Sequence, residues 1–148
     1  MQAVQKAALA AALSSVVLMG AGSALAGDVV ITVTGVQARG GDLLVGLQTA
    51  AQFMKHEGDH GEIIKAPAAG TRVVTLKDVP PGDYSVSVLH DLNGDQQMAL
   101  ANGMPAEGWA MVRGETLRAA PTFDQVRFTV PASGDARVTV AMQYPSAR

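Results

Sequence analysis

Six stretches of the chain carry the two-residue alternation of half-buried strands. Residues 28–35 (DVVITVTG) set Val29, Ile31 and Val33 on one face and Val30, Thr32 and Thr34 on the other. Residues 42–49 (DLLVGLQT) align Leu43, Val45 and Leu47, with Gly46 facing the other way beside a bulge or a close neighbour. Residues 71–76 (TRVVTL) form a third strand. Residues 84–91 form a fourth, with Tyr84, Val86, Val88 and His90 on one face and Ser85, Ser87, Leu89 and Asp91 on the other. Residues 124–130 (DQVRFTV) and 136–144 (ARVTVAMQY) complete the set, and a short strand is expected around 109–112. β-Branched residues dominate these runs, as the pleated surface favours.

Between the runs stand turn residues. Gln37-Ala-Arg-Gly-Gly41 joins the first two strands into an expected hairpin, Asp78-Val-Pro-Pro-Gly82 precedes the fourth strand, and Ser133-Gly134-Asp135 precedes the last. Residues 50–70 form the long irregular segment, with a helical turn or two over 50–55 and a polar, turn-rich centre at 56–61. A loop of that length in a compact domain is functional or mobile as a rule. No helix of ordinary length is expected. The reading is all-β: one antiparallel β-sandwich of six to eight short strands, immunoglobulin-like or transthyretin-like, with long loops and a barrel as the alternative.

The N-terminus reads differently. Lys6 is the only charge before Asp28, an apolar run follows it, and Ala24-Leu-Ala26 has the form of a cleavage box. Residues 1–26 are therefore expected to be a signal peptide and residues 27–148 the sandwich domain, periplasmic or secreted. An N-terminal membrane anchor is the alternative, for which the run is short. The chain has no cysteine, so neither a disulfide nor a lipidated cysteine enters. Its formal charge of −2 becomes −3 once Lys6 is removed. With no basic run, nucleic acid and anionic membranes are poor partners, and an unknown protein or small ligand is the better expectation.

Residues with chemical potential concentrate between 90 and 109. Asp91, Asn93 and Asp95 occupy alternate positions of a D-x-N-x-D loop, and Gln97 adds a carbonyl, which is the spacing of a Ca2+ loop. Gln96 stands where such loops turn on glycine, and a third carboxylate is available only if Glu107 folds back. The competing reading is an Asx-turn loop that satisfies its own backbone. His90 ends the fourth strand on its core face, either as a satisfied core histidine or as an acid–base partner of Glu107 in a hydrolase. Alternation sends His90 and Asp91 to opposite faces, against a dyad between those two. Trp109 is either a groove-rim anchor or a cap on the core. His56 and His60, among glycines, suit weak Zn2+ or Cu2+ binding or a solvated loop.

The run Val79-Pro-Pro-Gly-Asp-Tyr-Ser-Val-Ser-Val-Leu-His-Asp-Leu-Asn-Gly-Asp95, the segment Gly103-Met-Pro-Ala-Glu-Gly-Trp109 and the stretch Pro121-Thr-Phe-Asp-Gln-Val-Arg-Phe128 resemble a family of secreted bacterial proteins, domain of unknown function 2141 (DUF2141). That family carries a PPG-x-Y strand, an HD-x-NGN-G loop and a G-[IV]-P-x-EG-[YF] segment. The resemblance implies a small secreted or periplasmic β domain and no established reaction. Its PPG-x-Y strand also resembles those of transthyretin-like and carboxypeptidase-regulatory sandwiches. The sequence departs from the family at Gln96, where a glycine is usual, and at Ala99, where an aspartate is usual; the loop is also one residue shorter before Gly103. The expected function is a non-enzymatic binding or envelope-associated module with its working end at residues 90–109. Its alternatives are a Ca2+-stabilised form of that module and a hydrolase using His90 and Glu107.

Overall fold

The computed structural model describes residues 25–55 and 57–146. The expected signal peptide therefore lies outside the described residues but for its last two, and so does His56. Among the described residues no helix is long and apolar enough to cross a membrane.

Two sheets face each other. The first is three-stranded, with β1 (Gly27–Val36) between β10 (Ala136–Ala141) and β4 (Gly70–Val79). The second runs β3 (His60–Lys65), β2 (Asp42–Gln48), β5 (Gly82–Asp91), β8 (Gly108–Ala110). The free edge of β5 is shared end to end, by β8 along Val88–His90 and by β9 (Arg127–Val130) along Gly82–Ser85. A small hairpin, β6 (Leu100–Ala101) with β7 (Met104–Pro105), stands apart. All pairings are antiparallel except β1 with β10, which run parallel.

The all-β sandwich stands, and its core is the aliphatic one that alternation implies. Val29, Ile31 and Val33 of β1 meet Leu43, Val45, Leu47, Val86 and Val88 across the interior, all nearly or fully excluded from solvent. Tyr84 belongs to that core; Phe128 and Tyr144 pack against it partly buried. Phe53 and Phe123 meet edge to face outside that core cluster, with centroids 5.7 Å apart.

Three expectations need correction. β1 and β2 do not form a hairpin: β1 pairs with β4 and β10, whereas β2 pairs with β3 and β5. The turn at 37–41, with Gly40 and Gly41 at positive φ, carries the chain from one sheet to the other. Residues 50–70 are not wholly irregular, because β3 lies within them, paired with β2 from Asp42↔Lys65 to Leu47↔His60. Residues 124–130 are not all strand. Phe123–Val126 form one helical turn, in which Gln125 accepts a hydrogen bond from the Thr122 amide at 2.9 Å, and β9 starts at Arg127. The alternation of Val126 with Phe128 is thus a helix-to-strand junction, although Val126 is fully buried as its polarity demands.

The Pro80-Pro81 turn carries the chain from β4 of the first sheet to β5 of the second, and Tyr84 fastens it: the hydroxyl donates to the Pro80 carbonyl at 2.9 Å. Burial, and after it the charge of Asp59, push the Tyr84 phenol above its ordinary pKa. A group raised in the folded state holds its proton better there than in the unfolded chain. Its contribution is therefore fully present below about pH 10 and is lost as pH rises through the folded value. Chemical denaturation from pH 8 to 11 should show stability falling above pH 10, with a shallower fall in Tyr84→Phe. The same variant should lose about 1 kcal/mol at neutral pH with the hydrogen bond.

Candidate functional site

The site begins where β5 ends. β5 is an inner strand of its sheet, paired with β2 from Ser85 to Asp91, so His90 and Asp91 are placed rigidly. Their side chains diverge as alternation requires, yet both are buried, His90 completely and Asp91 to within 2 %.

His90 is a satisfied core histidine. Its Nε2 lies 2.7 Å from the Gly40 carbonyl oxygen and its Nδ1 lies 2.8 Å from the Tyr144 hydroxyl. Neither ring nitrogen hydrogen-bonds Glu107, whose two oxygens accept from other groups.

Asp91 organises the loop that follows. Its Oδ1 accepts from the Gly94 amide at 2.8 Å and its Oδ2 from the Gln96 amide at 2.9 Å. Asn93 Oδ1 accepts from the Asp95 amide at 3.3 Å, and Asn93 Nδ2 donates to Asp95 Oδ2 at 3.0 Å. Asp95 Oδ1 accepts from the Gln97 amide at 2.9 Å. This is the self-capping Asx loop that short acidic side chains build. Gln97 contributes its amide to the loop.

Glu107 folds back. It reaches this loop from the start of β8, where the β6–β7 hairpin returns the chain. Asn102 and Gly103, both at positive φ, make the two-residue turn of that hairpin. Glu107 Oε1 accepts from the Leu92 amide and Oε2 from the Ala99 amide, each at 3.2 Å, so one carboxylate ties the Asx loop to the hairpin. Glu107 is only 6 % exposed.

Ligand atoms of Asp91, Asp95 and Glu107 consequently all lie within 4.8 Å of one another. Among the described residues none of the three is ion-paired; the salt bridges found lie elsewhere, at Asp42, Asp28, Asp83 and Asp124. Three like charges at this spacing repel by on the order of 1–3 kcal/mol per pair, the exposed Asp95 taking the low end. Each oxygen uses one lone pair on an N–H and retains another. A hard divalent cation matches that leftover capacity and reverses the sign of the electrostatics.

The sequence-level candidates separate here. Asp91 and Asp95 converge as their spacing implies. Glu107, expected either beside His90 or folded back onto the loop, does the second and joins them as a third carboxylate. Trp109 points to the outer face of its sheet, opposite Leu89, and is half-buried against Gly114, where a Cβ would lie 3.0 Å from the indole. It continues a row formed by Ile63, Leu44 and Leu89 and is no part of the carboxylate cluster. Ser85, buried on that same outer face, keeps a hydroxyl without a hydrogen-bond partner.

Gln96 shows what the departure from the familiar loop costs. Its φ is 57°, in the left-handed region where glycine carries no Cβ penalty. Gln96→Gly should raise stability by about 0.5–1 kcal/mol, the relief of strain exceeding the entropy glycine adds to the unfolded chain. Paired urea denaturations would register this as a higher midpoint at unchanged slope.

A β-sandwich bearing a capped acidic loop at one end defines the class: a small all-β domain with a loop-built polar end. Within it, the chain belongs to the family described as "uncharacterized protein conserved in bacteria" (DUF2141), whose model matches residues 31–139 and so takes in both sheets and the whole carboxylate cluster. No curated protein and no solved structure matches the chain.

Proposed function

We propose that this chain is a non-catalytic, exported β-sandwich binding module whose 90–109 end is organised by a divalent cation, Ca2+, held by Asp91, Asp95 and Glu107. The observation that carries the reading is the convergence of three carboxylates within 4.8 Å with no basic side chain ion-paired to them among the described residues. Two of the three sit on defined backbone: Asp91 ends β5 and Glu107 immediately precedes β8. Water and main-chain carbonyls would complete the six to eight oxygens that Ca2+ takes. Export is supported by the charge-poor apolar N-terminus and the Ala24-Leu-Ala26 box. Extracellular modules bind Ca2+ at about 0.1–1 mM, the affinity range this reading assigns to the site.

The non-catalytic part rests on His90. Both of its ring nitrogens are committed to Tyr144 and Gly40 and neither bonds Glu107, which speaks against a His90–Glu107 acid–base pair. The test is thermal unfolding of the EDTA-treated protein with and without Ca2+. A ligand at ten times its Kd adds about 1.4 kcal/mol, a rise of about 5 °C for a domain of this size. Identical midpoints through about 10 mM Ca2+ would end the cation reading.

A further inference from the structure

We infer that the segment following β10, and Tyr144 above all, is the strap that holds the 91–107 end in its organised form. The segment crosses between the two sheets. The Met142 amide donates to the Thr34 carbonyl of β1, while Gln143 and Trp109 exchange both backbone hydrogen bonds, at 2.9 and 2.7 Å, on the side of β8. One strand-like step thus hydrogen-bonds first to one sheet and then to the other.

Tyr144 closes the crossing with a hydrogen-bond chain whose directions follow for the neutral imidazole. The Gly40 carbonyl can only accept, so His90 Nε2 carries the proton; Nδ1 then accepts from the Tyr144 hydroxyl. Having given its one proton, that hydroxyl accepts from the Gln37 amide at 3.0 Å. Both ends of the chain return to the 37–40 turn, and Arg39 lies over the Tyr144 ring at 4.7 Å from its centroid.

Three contacts link this clasp to the acidic end. Gly108, the residue after Glu107, lies so close to the Tyr144 ring that a Cβ would come within 2.3 Å of it. Gly41 lies as close to the Asp91 carbonyl and to Leu92, the first residues of the Asx loop. His90 precedes Asp91 directly. With Tyr144 seated, the turn at 37–41 is pressed on one side of the loop and Gly108 is set on the other, which fixes where Glu107 reaches across. With Tyr144 unseated, His90 Nδ1 is buried without a partner and Gly108 faces a void.

The experiment is amide hydrogen exchange by NMR on Tyr144→Ala and Tyr144→Phe, in EDTA, so that it stands or falls independently of cation binding. The amides of Leu92 and Ala99, which Glu107 accepts, and of Gly94 and Gln96, which Asp91 accepts, should exchange at least about tenfold faster in Tyr144→Ala than any change at β1 amides accounts for. Tyr144→Phe keeps the ring and loses only the hydroxyl, and should give the same local pattern at about threefold. It also carries the test if the alanine variant does not fold. Acceleration by one common factor at β1 and at the loop, or none at the loop, would overturn the assignment.

Discussion

Replacing Asp91 with alanine is expected to lower stability by roughly 2–4 kcal/mol, a fall in Tm of about 10 °C. The carboxylate is 2 % exposed and both of its oxygens accept from backbone amides of the loop it begins. Charge-assisted bonds of this kind contribute about 1.5–3 kcal/mol each before relaxation, and the amides of Gly94 and Gln96 regain water because their residues are exposed. Asp91→Asn should fall between wild type and alanine, since the amide supplies one acceptor and turns a donor toward the other N–H. Thermal melts of the three proteins check the order. Equal midpoints for wild type and alanine would mean that the loop closes without Asp91.

Glu107→Ala is expected to cost roughly 2–3 kcal/mol for a related reason with a different consequence. It frees the Leu92 and Ala99 amides together, so the β6–β7 hairpin loses its tie to the Asx loop. The effect should not add to that of Asp91→Ala. Both side chains hold the same short loop, and once one bond is lost the other restrains less; the double variant should fall short of the sum by about 1 kcal/mol. A double-mutant cycle in urea measures this, and strict additivity would argue against one shared structure.

Much of this fold is written in local pattern. β1, β2, β4, β5 and β10 alternate because each has one face in the core, and side chains such as Ile31, Val45 and Val88 are placed correctly by that period alone. β3 escaped because it is an edge strand with little to bury: of HGEIIK, only Ile64 packs against the core. The expected β1–β2 hairpin failed because a five-residue turn between two strands reads the same whether it returns the chain along one sheet or carries it to the other. The crossing sets Gly41 tightly against Asp91, a contact fifty residues apart in sequence that no local pattern records.

The candidate site divides along the same line. Asp91 and Asp95 converge through a short loop, so their spacing declares them. Glu107 is brought in by the Asn102-Gly103 turn and by the register of β8 against β5, in which His90 faces Gly108. No spacing rule encodes that. Tyr144 ends the last alternating run; its hydrogen bond to His90 depends on the crossing after β10 and has no local signal.

Calorimetric titration of Ca2+ into EDTA-stripped protein, wild type beside Asp95→Asn, tests the central claim most directly. Asp95 is the exposed member of the cluster, and asparagine preserves its shape and an acceptor for the Gln97 amide. The fold should therefore survive: the new NH2 facing Asn93 Nδ2 costs one exposed hydrogen bond, which the loss of a like charge roughly offsets in the cation-free variant. The account predicts one saturable site in the wild type with a Kd of about 0.1–1 mM, and affinity weakened about tenfold or more in Asp95→Asn. No saturable binding in the wild type through about 10 mM, or equal binding by both proteins, would contradict it.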